Sequence, residues 1–339
     1  MDQSITWERY LISLIPMELR HLQVLVAVSE HRSFSAAAEA LGTVQSNVSS
    51  HVARLERELG ATLVERSGGR LTAEGQLVVD RAYRVFAEVD ALVADIGALR
   101  QVLAGTVRAG MIGTIGRWLA PALLTELSAR HPMLHLVVSE GSTLALEPAL
   151  TSGRLDLAVL SAPVPGRELS FEPLLEEDVL LVIPQGSDPI PHMETVTRED
   201  LGLLPLLLPA VGTPFRAEID SALAGIDVVL RPLAELDGVR LMASLAFEGH
   251  GAAVLPASAV PARLHATVRT LPIVDMPPRV VGLAERSRGL PSAPARAVVD
   301  ALRRITRLAT GLPPGLRPIE PEAVARAEGS PRSLGVPNG

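Results

Sequence analysis

Apolar positions spaced three and four residues apart recur through the first sixty residues of this 339-residue chain. Such spacing places side chains on one face of an α-helix. It predicts three short helices, over residues 18–29, 33–41 and 44–60. The stretch "TLVERSGGRLT" then predicts a short hairpin, because Gly68 and Gly69 supply the conformational freedom that a tight turn needs.

A much longer helix is predicted next, because residues 73–103 contain no proline and carry an apolar heptad repeat that ends at Gly105. Thirty-odd residues make a rod of roughly 45 Å. A heptad stripe of that length is typical of a helix that pairs with another helix. The alternative is a long core helix inside one domain. Pairing is favoured, because a helix of this length is longer than a small domain. The predicted dimerisation stripe consists of Val78, Val85, Val89, Leu92 and Ile96.

The pattern changes beyond Gly105 to short apolar runs that alternate with helical segments. These runs are "TVRAGMIG", "LHLVVSEG", "LDLAVLSA", "DVLLVIP", "LPLLLP", "IDVVL" and "AAVLP". The alternation predicts an α/β region with a largely parallel sheet covered by helices. Beyond Thr310 the pattern stops, and 11 of the last 29 residues are proline or glycine, which predicts a disordered tail.

Composition excludes several classes of protein. The chain is 47% hydrophobic with a net charge of −7 and has no cysteine, which excludes disulfides and thiolate metal sites. No run approaches the ~18 apolar residues of a membrane-spanning helix. Residues 1–16 lack the features of a signal peptide and are interpreted as an extension. A soluble, cytoplasmic protein is expected.

The three short helices and the hairpin match the outline of a winged helix-turn-helix. Its third helix would enter the major groove of DNA with its N-terminal residues against base edges. Gln45 and Asn47 could each contact adenine, and the neighbouring serines could reach bases or phosphates. The alternative is a solvated helix in an ordinary domain, and the charge balance favours it: residues 18–75 hold six arginines against seven acids. The residue pattern leaves both interpretations open.

A family resemblance resolves this choice. The motifs are Phe34-Ser35 followed by Ala37-Ala38, Gln45 with Ser49, "LERELG", and "LTAEG". With them, residues 17 to about 75 resemble the DNA-binding domain of LysR-type transcriptional regulators, and the resemblance continues to about residue 305. It implies an α/β protein with an N-terminal winged helix-turn-helix, a long linker helix and a two-lobed, periplasmic-binding-protein-like effector domain. The implied domains are 17–75, 76–104 and 105–307 (lobes 105–178 with 279–307, and 179–278), with 308–339 as the tail.

The resemblance also implies DNA-contacting positions. These are Ser35, Gln45, Ser46, Asn47, Ser49, Ser50, Arg54, Arg66 and Arg70. Two departures from the family pattern affect their geometry. Val44 replaces the usual capping serine or threonine, so Thr43 or Ser46 is expected to cap the third helix instead. The wing is about two residues short.

A small-molecule cleft between the lobes is the second implied site. Thr114, Ser142 and Thr143 follow strand ends and open helices, where ligands of open α/β sheets bind and where helix N-termini favour a carboxylate. Thr213, Phe215 and His250 are the candidates from the second lobe. The alternatives are simple capping for the hydroxyls, core packing for Phe215 and a surface loop for His250.

The expected function is that of a sequence-specific DNA-binding transcriptional regulator, switched by a small and anionic effector. Its expected partners are promoter DNA, the effector, a second copy in a homodimer or tetramer, and RNA polymerase as an additional candidate. No cofactor or metal is expected. A solute-binding protein fused to a helical module is the alternative class. An enzyme is disfavoured, because "GHGAA" precedes a strand and no nucleophile elbow is present.

Overall fold

The computed structural model describes residues 17–65, 69–100, 102–164, 166–186, 189–261, 264, 267–308 and 311–319. The chain divides into two compact units, residues 1–90 with 152–154 and residues 91–151 with 155–339. The proposed extension, residues 1–16, lies outside the described residues.

Three helices open the first unit: α1 (Leu19–His31), α2 (Phe34–Ala40) and α3 (Gln45–Leu59). Ser33 begins α2 by accepting a hydrogen bond from the Ala36 N–H at 3.4 Å. Small residues let the helices approach closely, so the core that they share is fully buried. It includes Leu25, Ala37, Val48 and Leu55.

The start of α3 differs from the sequence expectation. Val44 is its N-cap residue, and no side chain caps the first turn. Thr43 instead accepts a hydrogen bond from the Asn47 side-chain amide at 3.0 Å. The prediction that Thr43 or Ser46 caps this helix is therefore wrong. A tight backbone turn, from the Asn47 N–H to the Val44 carbonyl at 3.0 Å, satisfies the end of the helix.

In the described part of the segment after α3, an antiparallel bridge joins Val64 and Leu71. The predicted turn at Gly68 and the candidate Arg66 lie outside the described residues, so the hairpin stays a prediction. Gly75, from the "LTAEG" motif, packs against this segment. A Cβ at Gly75 would overlap the Leu63 carbonyl oxygen, which explains why glycine is required there.

The long helix α4 spans Ala73–Leu99. It ends four residues before the predicted Leu103, so the sequence prediction of its end is wrong. The N–H groups of Arg100 and Val102 both donate to the Gly97 carbonyl, at 3.0 and 3.2 Å. Gly97 has a low helix propensity, and these two bonds close the helix there. Gly105 belongs to the next strand.

The second unit holds eleven strands and five more helices within its described residues. In chain order they are β1 (Gly105–Ile112), α5 (Gly113–Arg130), β2 (Leu134–Gly141), α6 (Thr143–Ser152), β3 (Leu157–Ser161), β4 (Leu169–Glu177), β5 (Val179–Pro184), β6 (Pro205–Pro209), α7 (Pro214–Leu223), β7 (Arg231–Leu236), α8 (Val239–Phe247), β8 (Ala252–Pro256), β9 (Val268–Pro272), β10 (Arg279–Arg286), α9 (Ala293–Arg307) and β11 (Leu316–Pro318).

These elements form two sheets. The first lobe contains a six-stranded sheet in the order β11-β4-β10-β3-β1-β2, packed with α5, α6 and α9. The second lobe contains a five-stranded sheet in the order β7-β6-β8-β5-β9, packed with α7 and α8. Each sheet is mixed rather than largely parallel. Three parallel strands form one part of each sheet, and antiparallel strands extend it where the chain crosses between the lobes.

Two sequence predictions need correction here. The run "IDVVL" at residues 226–230 is not a strand; the strand is β7, which begins at Arg231. Its residues are largely exposed at the sheet edge, so no apolar run marks it. The predicted disordered tail is also wrong for residues 316–318, which form β11. Leu316 is buried, and β11 pairs with β4 and becomes the edge strand of the sheet. Residues 320–339 lie outside the described part of the chain.

Among the residues that the structure describes, no helix is both long enough and apolar enough to cross a membrane.

Candidate functional site

The N-terminal half of α3 presents a polar row to solvent. Val48 and Val52 of the same helix are buried and hold it on the core. The candidates Gln45, Ser46, Asn47, Ser49 and Ser50 are all exposed in the first turns of α3.

Internal hydrogen bonds orient part of this row. The Ser35 hydroxyl, at the start of α2, donates to the Gln45 side-chain oxygen at 3.1 Å. The Asn47 side-chain amide in turn donates to the Thr43 hydroxyl. The first turn of α3 has no side-chain cap, and its Asn47 N–H donates to the Val44 carbonyl, which leaves the N–H groups of Gln45 and Ser46 at the exposed start of the helix beside these amides. This is the arrangement that contacts bases and phosphates at a helix N-terminus.

The candidate arginines differ from one another. Arg70 is exposed. Arg54 is already paired with two carboxylates, Glu58 at 3.0 Å and Glu18 at 3.7 Å, so its charge is partly neutralised. Arg66 lies outside the described residues. The row therefore offers amides and hydroxyls more than positive charge.

The predicted dimerisation stripe on α4 is mostly exposed in the single chain. Val85, Val89, Leu92 and Ile96 are exposed apolar side chains. Val78 is different, because it packs against the core of the first unit. The exposure of the other four residues leaves the dimerisation stripe a prediction that the single chain does not test.

Two adjoining cavities lie between the lobes of the second unit. The smaller has a volume of about 250 Å³ and the larger about 760 Å³. Six residues line both cavities, so the two spaces share part of their walls. These residues are Thr143, Ser161, Thr213, Pro214, Phe215 and Arg279.

The smaller cavity lies where several helices begin. Thr114, Ser142 and Thr143 line it from the first lobe, and Thr213 and Phe215 from the second. Five of the six effector candidates are thus brought together, because β1, β2 and β6 are parallel strands whose carboxyl ends face the cleft. Two helices, α5 and α8, begin there without a side-chain cap.

The hydroxyls of the candidates have different partners. Ser142 accepts from the Ala145 N–H at 3.3 Å and so caps α6. Thr143 is buried and bonds both backbone groups of Ser161, at 3.2 and 3.3 Å. Thr213 caps α7 and donates to the Ala210 carbonyl at 2.7 Å. Thr143 and Thr213 therefore shape the cavity walls through bonds that need no ligand.

His250 lines neither cavity, which corrects its assignment to the effector site. Its side chain is 61% exposed and lies beside Glu248. His250 precedes β8, and β8 runs parallel to β6. The histidine is consequently at the amino end of this sheet, whereas the cleft is at the carboxyl end of β6.

Charged residues that the sequence analysis missed also line the cavities. Arg279 extends into both spaces and pairs with Glu177 at 2.9 Å and with Glu218 at 2.6 Å. Burial alone would lower the pKa of Arg279, but the attraction of the two carboxylates outweighs it and raises that pKa. The guanidinium also lies 4.9 Å from the centre of the Phe215 ring. Because two carboxylates pair with this one guanidinium, the positive charge of Arg279 is already neutralised and does not attract an anionic ligand.

Arg240 is the second cation of the cleft. It lies in the first turn of α8 and donates a hydrogen bond to Glu140, at the end of β2. That bond and the attraction of the carboxylate raise the pKa of Arg240. Glu140 could have been noticed from sequence, because it lies two residues before Ser142 in "SEGSTLAL". Nothing in the sequence links Arg279 to the site.

Two family models cover most of the chain. Residues 19–76 match a model described as a bacterial regulatory helix-turn-helix protein of the lysR family. Residues 100–307 match a model described as a LysR substrate binding domain. The predicted resemblance is thereby confirmed.

Individual relatives agree with these models. The chain is 33% identical to a probable hydrogen peroxide-inducible genes activator of Streptomyces viridosporus, over 85% of this chain and 94% of that protein. It is 32% identical to the DNA-binding transcriptional dual regulator OxyR of Escherichia coli K12, over 86% and 95%. A solved cysteine-to-aspartate variant of full-length OxyR from Pseudomonas aeruginosa shares 27% identity with a TM-score of 0.71, over 90% of this chain and 99% of that one. These relatives are named as regulators of transcription, not as enzymes.

Proposed function

We propose that this chain, which belongs to the LysR family of DNA-binding transcriptional regulators, is switched by a small anionic effector held between the lobes of its second unit. One observation carries the choice of an anion. The helices α5 and α8 both begin at the smaller cavity without a side-chain cap, and Arg240 lies in the first turn of α8. Uncapped N–H groups and a guanidinium together favour a carboxylate.

The larger cavity suggests the rest of the ligand. Its walls are mostly apolar, with Phe215, Ile219 and Met276 among its lining residues. Its charged group Arg279 is already neutralised by two acids. An effector with an acidic head in the smaller cavity and an apolar body in the larger one fits both spaces.

The proposed switch is non-covalent. Relatives of the chain are named for induction by hydrogen peroxide, but a thiol or disulfide response requires cysteine. This chain contains no cysteine. We therefore propose that this chain regulates transcription as these relatives do, but that its response does not use thiol chemistry. We assign the chain no enzymatic activity. Because its partner is promoter DNA, we place its action in the cytoplasm.

The proposed DNA contacts are those of the exposed row on α3. Gln45 and Asn47 would read base edges, and Ser46, Ser49 and Ser50 would contact bases or phosphates. Exposed apolar residues on α4, from Val85 to Ile96, would join two copies of the chain. Arg70 would contact the DNA backbone.

The effector proposal can be tested by calorimetry with three probes: sodium acetate, sodium octanoate and octan-1-ol. Octanoate combines the acidic head with an apolar body, and each of the other probes carries one part alone. We expect octanoate to bind more tightly than either. Arg240→Gln should lower the affinity for octanoate by roughly tenfold or more, because a hydrogen bond to a charged group contributes about 1.5–3 kcal/mol. If octanol bound as tightly as octanoate, the proposal that the site recognises an anionic group would be refuted.

A further inference from the structure

The pair formed by Glu140 and Arg240 joins the two lobes. Glu140 is close to the end of β2 in the first lobe, and Arg240 lies in the first turn of α8 in the second. The Arg240 guanidinium donates to one Glu140 oxygen. Both residues line the smaller cavity, and their side chains are 50% and 57% exposed, which places the pair at the rim of the cleft.

Glu140 also occupies the start of α5. A Cβ added to Gly113, the first residue of that helix, would collide with the second Glu140 oxygen and would lie 3.1 Å from Arg240 Cδ. Because Gly113 has no side chain, the carboxylate can lie beside the first residue of α5. No side chain caps α5, so its partial positive charge faces this carboxylate.

We propose that Glu140 is an internal counter-ion that clamps the lobes together through Arg240, and that an anionic effector releases the clamp by taking its place. The clamp follows from the contacts of Glu140 alone, whereas its release by an anion rests on the function proposed above. Glu140 holds the two positive features that an acidic ligand would need, Arg240 and the start of α5. A ligand carboxylate and Glu140 cannot both occupy that position.

The exposure of the pair makes such a clamp reversible. Ion pairs in contact with water shift an equilibrium by only about two- to fivefold. A ligand that adds apolar contacts in the larger cavity can therefore displace Glu140. Asp237 lines the same cavity and adds a second negative charge, which favours a ligand with a single negative charge over one with two.

The clamp can be measured without any ligand. Because the chain has no cysteine, cysteines placed at Leu290 in the first lobe and Leu203 in the second give two unique spin-label sites; these side chains are 85% and 71% exposed. Labelled chains are diluted with unlabelled chains, and the distance distribution is recorded for the full-length protein. Glu140→Gln and Arg240→Gln should each broaden it towards longer distances.

Glu172→Gln is the matched control. Glu172 pairs with Arg303 at 2.6 Å, and the two side chains are exposed to a similar degree, 38% and 35%. Both belong to the first lobe and line neither cavity, so this variant should leave the distribution unchanged. A Glu140→Gln distribution identical to that of the wild type would overturn the clamp.

Octanoate affinity tests the displacement separately. Glu140→Gln should bind sodium octanoate about two- to fivefold more tightly than the wild type, since the competitor loses its charge. Adding Arg240→Gln should abolish that gain. Weaker or equal binding by Glu140→Gln would overturn the displacement. If neither the wild type nor any variant binds octanoate while the spin-label distances of Glu140→Gln and Arg240→Gln still increase, the anionic effector is refuted. The clamp formed by Glu140 and Arg240 is then still supported.

Discussion

Replacing Glu177 by glutamine should destabilise the second unit more than the same change at Glu218, the other partner of Arg279. The Glu177 side chain is 0% exposed. One oxygen accepts from the Ser258 N–H at 2.8 Å, and the other is 2.9 Å from an Arg279 nitrogen. Glutamine preserves the shape, and its single amide oxygen can accept either from the Ser258 N–H or from the guanidinium. In both orientations the amide carries no charge, so Arg279 loses one of its two counter-charges while it stays buried.

The expected cost is about 3 kcal/mol of unfolding free energy. Removing one partner of a buried ion pair costs roughly 3–5 kcal/mol, because an uncompensated charge remains in the interior. The lower end applies here, since Arg279 keeps Glu218 at 2.6 Å. The matched control is Glu218→Gln. Glu218 is 21% exposed, and water can solvate the site, so the expected cost is about 1 kcal/mol.

Urea unfolding followed by tryptophan fluorescence measures this difference. Trp118 packs against the core of the first lobe, and a Trp7→Phe background leaves it as the single tryptophan of the chain. With a slope of about 3 kcal/mol per molar urea, Glu177→Gln should lower the midpoint by roughly 1 M. A loss no larger than that of Glu218→Gln would refute the reasoning, because burial would then not govern the cost.

Three further predictions concern the proposed contacts. Gln45→Ala should lose about 1–3 kcal/mol of discrimination at one base pair. Arg70→Ala should weaken binding to all DNA sequences and should reduce the slope of log affinity against log salt concentration by about 1. Fluorescence anisotropy with a selected operator and random DNA separates them, and equal losses on both DNAs for Gln45→Ala would exclude base readout. Val89→Asp should yield monomers in sedimentation, because an unpaired carboxylate in an apolar seam is costly; an unchanged dimer would mean that the stripe is not the interface. Ser142→Ala should cost about 1 kcal/mol of stability as a lost cap and lower octanoate affinity roughly tenfold in calorimetry, with DNA affinity in gel shifts unchanged. Octanoate affinity that stays intact would leave Ser142 with a capping role only.

Local sequence patterns predicted the features whose causes are local. The apolar spacing of Val48, Val52 and Leu55 defined α3 and its buried face, and the polar residues from Gln45 to Ser50 indicated the exposed positions at its start. Strand ends at "MIGTIG" and "SEGSTLAL" identified Thr114 and Ser142 as residues of the cleft, because a parallel strand delivers its carboxyl end to one edge of the sheet.

Features that depend on distant pairing could not be predicted in this way. The β7 strand has no apolar run because it lies at a sheet edge. β11 forms from a proline-rich segment because the edge of β4 offers backbone partners. The amino-end position of His250 follows from the parallel pairing of β8 with β6, which sequence spacing does not encode.

The ionic groups of the cleft were decided only by tertiary structure. Arg279 and Glu177 are about a hundred residues apart in sequence, as are Arg240 and Glu140. A charged residue in sequence carries no mark of whether it will be buried, because exposed and paired charges use the same side chains. The family resemblance and the strand ends indicated where a ligand would bind. Folding determined which charges line that space, since electrostatic interactions depend on distance and burial rather than on order along the chain.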